Sequence, residues 1–122
     1  MENNMEFLHD KMRIIQEIVP GKQLSLAHII ANPDSSVYER AHIKQPEGGS
    51  AIGIVNITPT EAAIILGDIS LKGAKVKIEF IDRINGTLII TGTVSEVEAA
   101  LSSALSYAEE KLGFTVCGIT KT

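Results

Sequence analysis

The stretch AIGIVNITPTEAAIILGDISLKGAKVKIEFIDRINGTLIITGTVSEVEAAL, residues 51–101, decides the fold because its hydrophobic periodicity changes along its length. Residues 51–57 are almost all apolar, which is typical of a strand that is covered on both faces. Val76, Ile78 and Phe80 alternate with charged residues, which indicates a half-buried strand. The two patterns predict one central strand and one strand with a solvent-facing side.

A hairpin turn is predicted at Asn85-Gly86. Both central positions of a type I′ turn need positive φ, which asparagine and glycine tolerate better than other residues. Residues 88–91 are rich in β-branched side chains and are predicted to return as the partner strand.

The first helix of the stretch is predicted to begin at TPTE, residues 58–61, which has the form of a capping box with proline at the first helical position. Its core-facing stripe has the spacing i, i+3, i+4, i+7 and consists of Ala62, Ile65, Leu66 and Ile69. Gly73 suits the C′ position that ends a helix, and Lys72 in the last turn complements the helix dipole.

The second helix is predicted to begin at a capping box formed by Thr93 and Glu96, with Ser95 and Glu98 as a competing box two residues later. Its apolar positions recur at helical spacing on one face. The residues predicted to be buried there are Val97, Leu101, Ala104, Leu105, Ala108 and Leu112.

Gly113 is predicted to end the second helix, and residues 114–119 are predicted to form a last short strand. The order of elements from residue 51 is therefore β-α-β-β-α-β, the split βαβ or ferredoxin-like arrangement of the α/β (α+β) class. Right-handed crossovers would place both helices on one face of the sheet.

The residues before position 51 are predicted to add further elements to that unit. Residues 1–12 are polar and aperiodic, which is typical of a mobile tail. RIIQEIV, residues 13–19, is rich in β-branched side chains and ends at Pro20-Gly21, so it is predicted to be a short strand.

A second N-terminal strand is predicted over residues 24–30, LSLAHII. Simple alternation places Leu24, Leu26 and His28 on one of its faces. Asn32-Pro33 then has the form of a helix start, with Asn32 as N-cap, and about two turns could follow.

Composition excludes several classes of function. The 122 residues include 11 basic and 15 acidic side chains, and the net charge of −4 argues against a nucleic-acid interface. No apolar run approaches the roughly 18 residues of a membrane span, and the polar, acidic start of the chain is not that of a secretory signal. The single cysteine, Cys117, fits a reducing cytosol.

No catalytic or metal-binding motif is found in the sequence. His9, His28, His42 and Cys117 lack ligand spacing, and no Cys-x-x-Cys pair exists. Gly48-Gly49-Ser50 precedes a strand, whereas a phosphate-binding loop follows one, so it is predicted to be a connector. We therefore predict no catalytic residue, no metal and no cofactor, and a protein that is not an enzyme.

Several segments together resemble one family, the bacterial microcompartment shell proteins. Residues 51–101 look like the opening strand, first helix, hairpin and second helix of the shell domain. GKQLSLAHIIANP, residues 21–33, looks like the strand that follows the second helix in the ordinary shell domain, yet here it comes first. That order marks the circularly permuted subclass, similar to the permuted shell subunits of ethanolamine and propanediol utilisation. IIQEIVPGKQ and the C-terminal GFTVCGITKT extend the resemblance to residues 13–122.

The resemblance implies a building block whose partners are itself, in a cyclic homohexamer, other microcompartment shell proteins and encapsulated enzymes. Such hexamers tile into a cytoplasmic shell around enzymes of ethanolamine, propanediol or choline utilisation that make an aldehyde. No nucleic-acid or membrane partner is expected. The chain would then divide into a tail, 1–12, an N-terminal strand, 13–19, and a permuted shell domain, 20–122.

The resemblance also implies roles for particular residues. In the permuted subclass, N-terminal strands form a small parallel barrel over the sixfold axis. The matching strand here consists of Ile14, Ile15, Gln16, Glu17, Ile18 and Val19. The loop that approaches the axis matches the charged and apolar sequence Arg83, Ile84, Asn85 and Gly86, where ordinary members have a small Gly-Ser-Gly type of loop. Lys72 matches the lysine at the hexamer edge, and Asn32 replaces an edge arginine.

The residues alone leave a second hypothesis open. Ferredoxin-like folds host many functions, because fold does not determine function. The alternative is therefore a regulatory module that binds a small molecule in a cleft between subunits.

Overall fold

The computed structural model describes residues 21–47 and 51–122. This part of the chain contains five strands in one sheet and three helices. The strands are β1 (Gln23–Ile30), β2 (Ala51–Thr58), β3 (Lys77–Asp82), β4 (Thr87–Gly92) and β5 (Thr120–Lys121). The helices are α1 (Ser35–Arg40), α2 (Ala62–Gly73) and α3 (Val94–Leu112). The predicted tail 1–12, the predicted strand 13–19 and the connector residues 48–50 lie outside the described residues.

The sheet order is β3-β4-β2-β1-β5, and every pair is antiparallel except β1 with β5. The predicted order from residue 51 is confirmed as β2-α2-β3-β4-α3-β5. The prediction that β1 is an addition outside this unit is wrong. β1 pairs with β2 in the interior of the sheet, where the last strand of a split βαβ unit would lie, and β5 forms the edge instead.

The end of α3 lies next to the beginning of β1. The Lys22 ammonium donates to the Leu112 carbonyl over 3.2 Å, and the Thr115 amide donates to the Lys22 carbonyl over 2.9 Å. The Leu24 amide in turn donates to the Thr115 carbonyl over 2.9 Å. The chain that leaves α3 therefore runs alongside β1, the first strand of the described residues.

The core lies between the sheet and the two long helices. Val55 of β2 and Leu88 of β4 are fully buried, as is Leu101 of α3. The predicted buried face of α3 is confirmed except at Leu112, which is only partly buried. The burial of these apolar side chains is the main stabilising term for a domain of this size.

The predicted stripe of α2 is wrong at Ile65, which is 45% exposed. The helix instead packs through small residues, and its buried positions are Ala62, Ala63, Leu66, Gly67 and Ser70. A Cβ on Gly67 would lie 3.1 Å from the Cδ1 atoms of both Ile78 and Ile81. The close approach of α2 to β3 therefore decides which side of the helix is buried.

Both predicted ends of α2 are also wrong. Glu61 is the N-cap and makes no side-chain capping bond, so the box predicted at Thr58 does not form. Gly73 is the last helical residue, and Ala74 is the C-cap in an extended conformation. A Cβ on Gly73 would lie 2.9 Å from the Cβ of Ser103, so this glycine allows α2 to approach α3.

The predicted start and end of α3 are confirmed. The Thr93 hydroxyl accepts a hydrogen bond from the Glu96 amide over 3.1 Å, as in a capping box. The Glu96 carboxylate does not return to Thr93 but accepts from the backbone amide of Lys75. Gly113 is the left-handed residue after the helix, with φ of 72°.

A β-bulge in each of two strands changes the predicted faces. The register of β1 shifts between Leu24 and Leu26, so Leu24 is buried while Leu26 is 43% exposed. The register of β3 shifts between Ile78 and Phe80, and Phe80 is 47% exposed. An extra residue in one strand reverses the alternation beyond it, which explains both errors.

Two smaller predictions are corrected. The N-cap of α1 is Asp34 rather than Asn32, and its carboxylate accepts from the Ser36 amide over 2.9 Å. Residues 114–119 do not form a strand, apart from one bridge between Thr115 and Gln23. The final strand comes later, as β5, which pairs in parallel with β1.

Candidate functional site

The β3–β4 hairpin loop is held by one carboxylate. Asp82 Oδ1 accepts hydrogen bonds from the amides of Ile84, over 2.8 Å, and Asn85, over 3.1 Å. Asp82 Oδ2 accepts from the Asn85 side-chain amide over 2.7 Å. The Gly86 amide donates to the Asp82 carbonyl over 2.8 Å. The loop Arg83–Gly86 is therefore fixed from one side, and Ile84 stands 79% exposed at its tip.

The predicted two-residue type I′ turn at Asn85-Gly86 is wrong. Asp82 pairs with Thr87, so four residues separate the strands, and of the two predicted turn residues only Gly86 has positive φ, at 76°. A Cβ on Gly86 would lie 2.2 Å from the Ile57 carbonyl oxygen. Glycine is required at this position by both the backbone conformation and the contact with β2.

Polar side chains of the sheet support the same loop. Asn56 of β2 donates from Nδ2 to the Asn85 carbonyl over 3.3 Å, and its Oδ1 accepts from the hydroxyl of Ser25 over 3.0 Å. Ser25 is the extra residue of the β1 bulge. From the sequence, Asp82 stands out only as the partner of Arg83 in an exposed charged pair before the hairpin turn, and Asn56 does not stand out at all. An aspartate three residues before an asparagine in a turn is a recognisable signal for the first of them.

The loop amides lower the pKa of Asp82 below its ordinary value, chiefly through the Asn85 side chain and then the two backbone donors. A depressed carboxyl pKa means that the ionised form is favoured in the folded loop. The ionised Asp82 carboxylate therefore stabilises the folded loop above the ordinary aspartate pKa. This stabilisation is lost as the pH falls through the lowered pKa of the folded state.

We expect the amide NMR resonances of Ile84 and Asn85 to titrate together, with a midpoint below the ordinary value of 3.8 for aspartate. The titration should disappear in Asp82→Asn, which keeps one acceptor oxygen and removes the charge. A midpoint at or above the ordinary aspartate value would contradict the role given to this carboxylate.

The end of the domain opposite the hairpin contains both residues assigned to the edge. Lys72 lies in the last turn of α2, and Asn32 is exposed just after β1. The Lys72 ammonium lies 2.7 Å from the Asp68 carboxylate, and this contact raises the Lys72 pKa. Beside the pair, α2 and α3 form an open groove of about 370 Å³, lined by Ile65, Ile69, Gly73, Ser103 and Tyr107.

The beginning of β1 lies at the hairpin end of the domain. Gln23 pairs with Thr58, and the neighbouring Ile57 amide donates to the Gly86 carbonyl over 2.8 Å. The described chain therefore enters the sheet beside the loop Arg83–Gly86, and it leaves β1 at the end where Lys72 lies. The structure brings the loop residues together at one end and places the two edge residues at the other.

The histidines and the cysteine examined as ligands have other surroundings. His28 binds hydroxyls of the C-terminal segment, with Nδ1 2.6 Å from Thr120 Oγ1 and Nε2 2.9 Å from Thr122 Oγ1. His42 is exposed, Cys117 packs against the core, and His9 lies outside the described residues. Within residues 21–47 and 51–122, no three His, Cys, Asp or Glu side chains are placed to hold a metal.

Within the described residues, no helix is both long enough and apolar enough to cross a membrane. A family model, the BMC domain, matches residues 51–119. The chain belongs to this family, that of the bacterial microcompartment shell proteins.

Relatives match nearly the whole chain. The bacterial microcompartment shell protein EutS of Escherichia coli is 49% identical over 113 residues, 93% of this chain and 99% of EutS. The shell protein PduU of Salmonella typhimurium is 47% identical over 110 residues, 90% of this chain and 93% of PduU. The solved structure "CutR flat hexamer, form 1" is 42% identical, has a TM-score of 0.80, and covers 85% of this chain and 94% of CutR. These matches identify a structural protein rather than an enzyme.

Proposed function

We propose that this chain is a structural shell subunit that forms a cyclic homohexamer and tiles the shell of a bacterial microcompartment. The observation that carries the proposal is the agreement of the fold with the CutR flat hexamer over 94% of that chain. The enclosed enzymes would produce an aldehyde in ethanolamine, propanediol or choline utilisation. Other shell proteins of the same compartment would be the lateral partners.

The two ends of the domain would take different positions in the ring. The loop Arg83–Gly86 and the beginning of β1 would face the sixfold axis, because they lie together at one end. Lys72 and Asn32 would lie at the outer edge, because they occupy the opposite end. Asn32 cannot supply the bidentate contacts of an arginine, so edge packing would depend more on Lys72.

The axis would be narrowed by this loop. Arg83 and Ile84 project a charged and an apolar side chain from a turn that Asp82 holds in place. Six copies would present a rigid rim. Residues 14–19 (Ile14, Ile15, Gln16, Glu17, Ile18 and Val19) would close a barrel above it, since Gly21 lies close to the same end of the sheet.

The full-length chain is expected to elute as one species of six times the mass of a 13.1 kDa chain in size-exclusion chromatography with light scattering. Removal of residues 1–19 should leave the far-UV helix signal nearly unchanged, because α2 and α3 do not include them. It should change solubility or higher assembly, because the barrel over the axis would be lost. A concentration-independent monomer for the full chain would contradict the ring, and loss of the helix signal on truncation would contradict the barrel.

A further inference from the structure

The sheet face turned away from α2 and α3 carries a row of large apolar side chains. We define the sheet-face stripe as Leu26 of β1, Ile54 of β2, Ile89 of β4 and Phe80 of β3. Leu26 and Phe80 are 43% and 47% exposed, and the other two are partly buried. None of the four packs in the core between the sheet and the long helices. An apolar surface that crosses four strands is typical of a docking site.

The register of the sheet brings the four side chains together. Phe80 pairs with Ile89, and Ile89 pairs with Ile54. Directly paired residues of antiparallel strands have their side chains on the same face. Leu26 pairs with Asn56, one step along the same face from Ile54. The sequence neighbours of the paired isoleucines enter the core, so the stripe lies on the opposite face of the sheet.

The β1–β2 connector limits what can cover the stripe. Ile52 and Thr91 face the same side as the stripe, toward the end opposite the hairpin, and both are fully buried. Residues 44–47 of the connector lie against this end, where they line a cleft of about 340 Å³ with Lys77 and Glu79. Two flat sheet faces could not meet over this connector, whereas a single segment of chain fits beside it. The geometry therefore favours a segment of chain over a second copy of the sheet.

The surroundings of β1 leave one direction open for the segment that precedes it. Where the strand begins, Gln23 pairs with β2 on one side and forms a bridge with Thr115 on the other. The end of α3 occupies the helix side, since the Lys22 ammonium donates to the Leu112 carbonyl over 3.2 Å. The face that remains open beside the start of β1 is the one on which Leu26 lies.

The length and composition of the N-terminal tail suit this surface. Residues 1–12, outside the described residues, include Met5, Phe7 and Leu8. Twelve extended residues span at most about 40 Å. If residues 13–19 stand away from the sheet as the proposed barrel strand, the tail begins about 23 Å above it. The tail therefore reaches the stripe in either arrangement, and a contact within one chain needs little intrinsic affinity.

We propose that residues 1–12 dock on the sheet-face stripe and bury Phe7 and Leu8 against it. The driving force is the removal of apolar surface from water on both sides of the contact. The inference does not depend on the proposed ring, because the tail and the stripe belong to the same chain. The docked tail covers the open face of the sheet, so another protein reaches Leu26 or Phe80 only by displacing it.

A single tryptophan tests whether the stripe is covered, because the chain contains none of its own. Leu26→Trp is the reporter and Val37→Trp is its matched control, since the two positions are 43% and 39% exposed in the domain. In the full-length chain, the reporter should emit at shorter wavelength than the control and should be quenched less by acrylamide. Far-UV circular dichroism should show the same helix content in both variants.

Substitutions in the tail identify the cover. Adding Phe7→Ser and Leu8→Ser to the Leu26→Trp reporter should shift its emission to longer wavelength and increase its quenching. Asn3→Ser and Asn4→Ser are the matched control, because they change the same tail without removing an apolar side chain. They should leave the emission of the reporter unchanged.

Three outcomes would overturn the proposal. Long-wavelength emission from the reporter in the unaltered tail would show that the stripe is open. Short-wavelength emission that survives the loss of Phe7 and Leu8 would show that something else covers it. A shift to longer wavelength on dilution of the protein would assign the cover to a second copy. The mass of the assembly in light scattering, which tests the ring, affects none of these readings.

A cross-linking experiment covers the case in which the tryptophan variants fail to fold. A photoreactive benzoylphenylalanine at position 7 should attach, on irradiation, to peptides that contain residues 26, 54, 80 or 89. Such products, within one copy or between neighbouring copies, would support docking of the tail on the stripe. Attachment only to α2 or α3, or no attachment to protein, would contradict it.

Discussion

Gly86→Ala is expected to lower the free energy of unfolding by about 3 kcal/mol, because two costs coincide at this position. The residue has φ of 76°, a conformation that side chains with a Cβ rarely adopt. The added Cβ would lie 2.2 Å from the Ile57 carbonyl oxygen, and the backbone of a central strand cannot yield. Chemical denaturation monitored by circular dichroism measures the loss, with all variants at one protein concentration.

Gly113→Ala separates the two costs. Gly113 also has a positive φ, of 72°, but nothing lies within 4 Å of the position that its Cβ would take. Gly113→Ala is therefore expected to lower the free energy of unfolding only by the cost of a positive φ at a residue with a Cβ, about 1 kcal/mol. Equal losses at the two positions would contradict the contact between the hairpin loop and β2.

Leu66→Ala is expected to lower the free energy of unfolding by about 3 kcal/mol. Leu66 is fully buried at the centre of α2, and its truncation leaves a cavity. The surrounding side chains belong to the single core of the domain, so relaxation around the cavity should be incomplete. Thermal or denaturant unfolding of the purified variant measures the change.

Ile65→Ala is the matched control for Leu66→Ala, because the two positions are neighbours on the same helix. Ile65 is 45% exposed, and alanine is a better helix former than isoleucine. The expected change in unfolding free energy is within about 0.5 kcal/mol. A larger loss at Ile65 than at Leu66 would mean that α2 buries the stripe predicted from the sequence.

The contrast between these two residues shows why periodicity could not orient α2. Apolar side chains occur around most of the helix, so several stripes fit the spacing equally well. The buried side was selected by Ala63 and Gly67, which allow close approach to β3, rather than by the largest side chains. In α3, where polar residues occupy the outer face, periodicity predicted the buried side correctly.

The order of strands and helices could be predicted because each has its own local pattern, and the hairpin position followed from Asn85-Gly86. The bulges at Ser25 and Glu79 could not be predicted, because an extra residue leaves no compositional sign. The turn geometry at the hairpin was also missed, because it depends on contacts from Asp82 and on the neighbouring strand β2.

The candidate site was predicted in part. The loop Arg83–Gly86 and the edge residues Lys72 and Asn32 are found at opposite ends of the domain, although their roles in a ring remain predictions. Exposure of Ile64 and Leu71 could not be foreseen, since an apolar residue on a helix is first assigned to the core. Only the packed structure shows which apolar side chains of α2 are buried in the core and which are exposed.

The contact between Lys22, Leu112 and Thr115 has a consequence for genetic engineering of this protein. Because α3 ends beside the start of β1, a gene that joins residue 113 to residue 22 through a short linker should encode a sheet of β3, β4, β2 and β1 without the edge strand β5, with β1 following α3 in the sequence. New termini could then be opened elsewhere, for example in the connector before β2. Cargo fused at such relocated ends would leave the domain from the opposite end of the sheet, because the start of β2 lies beside the end of β1.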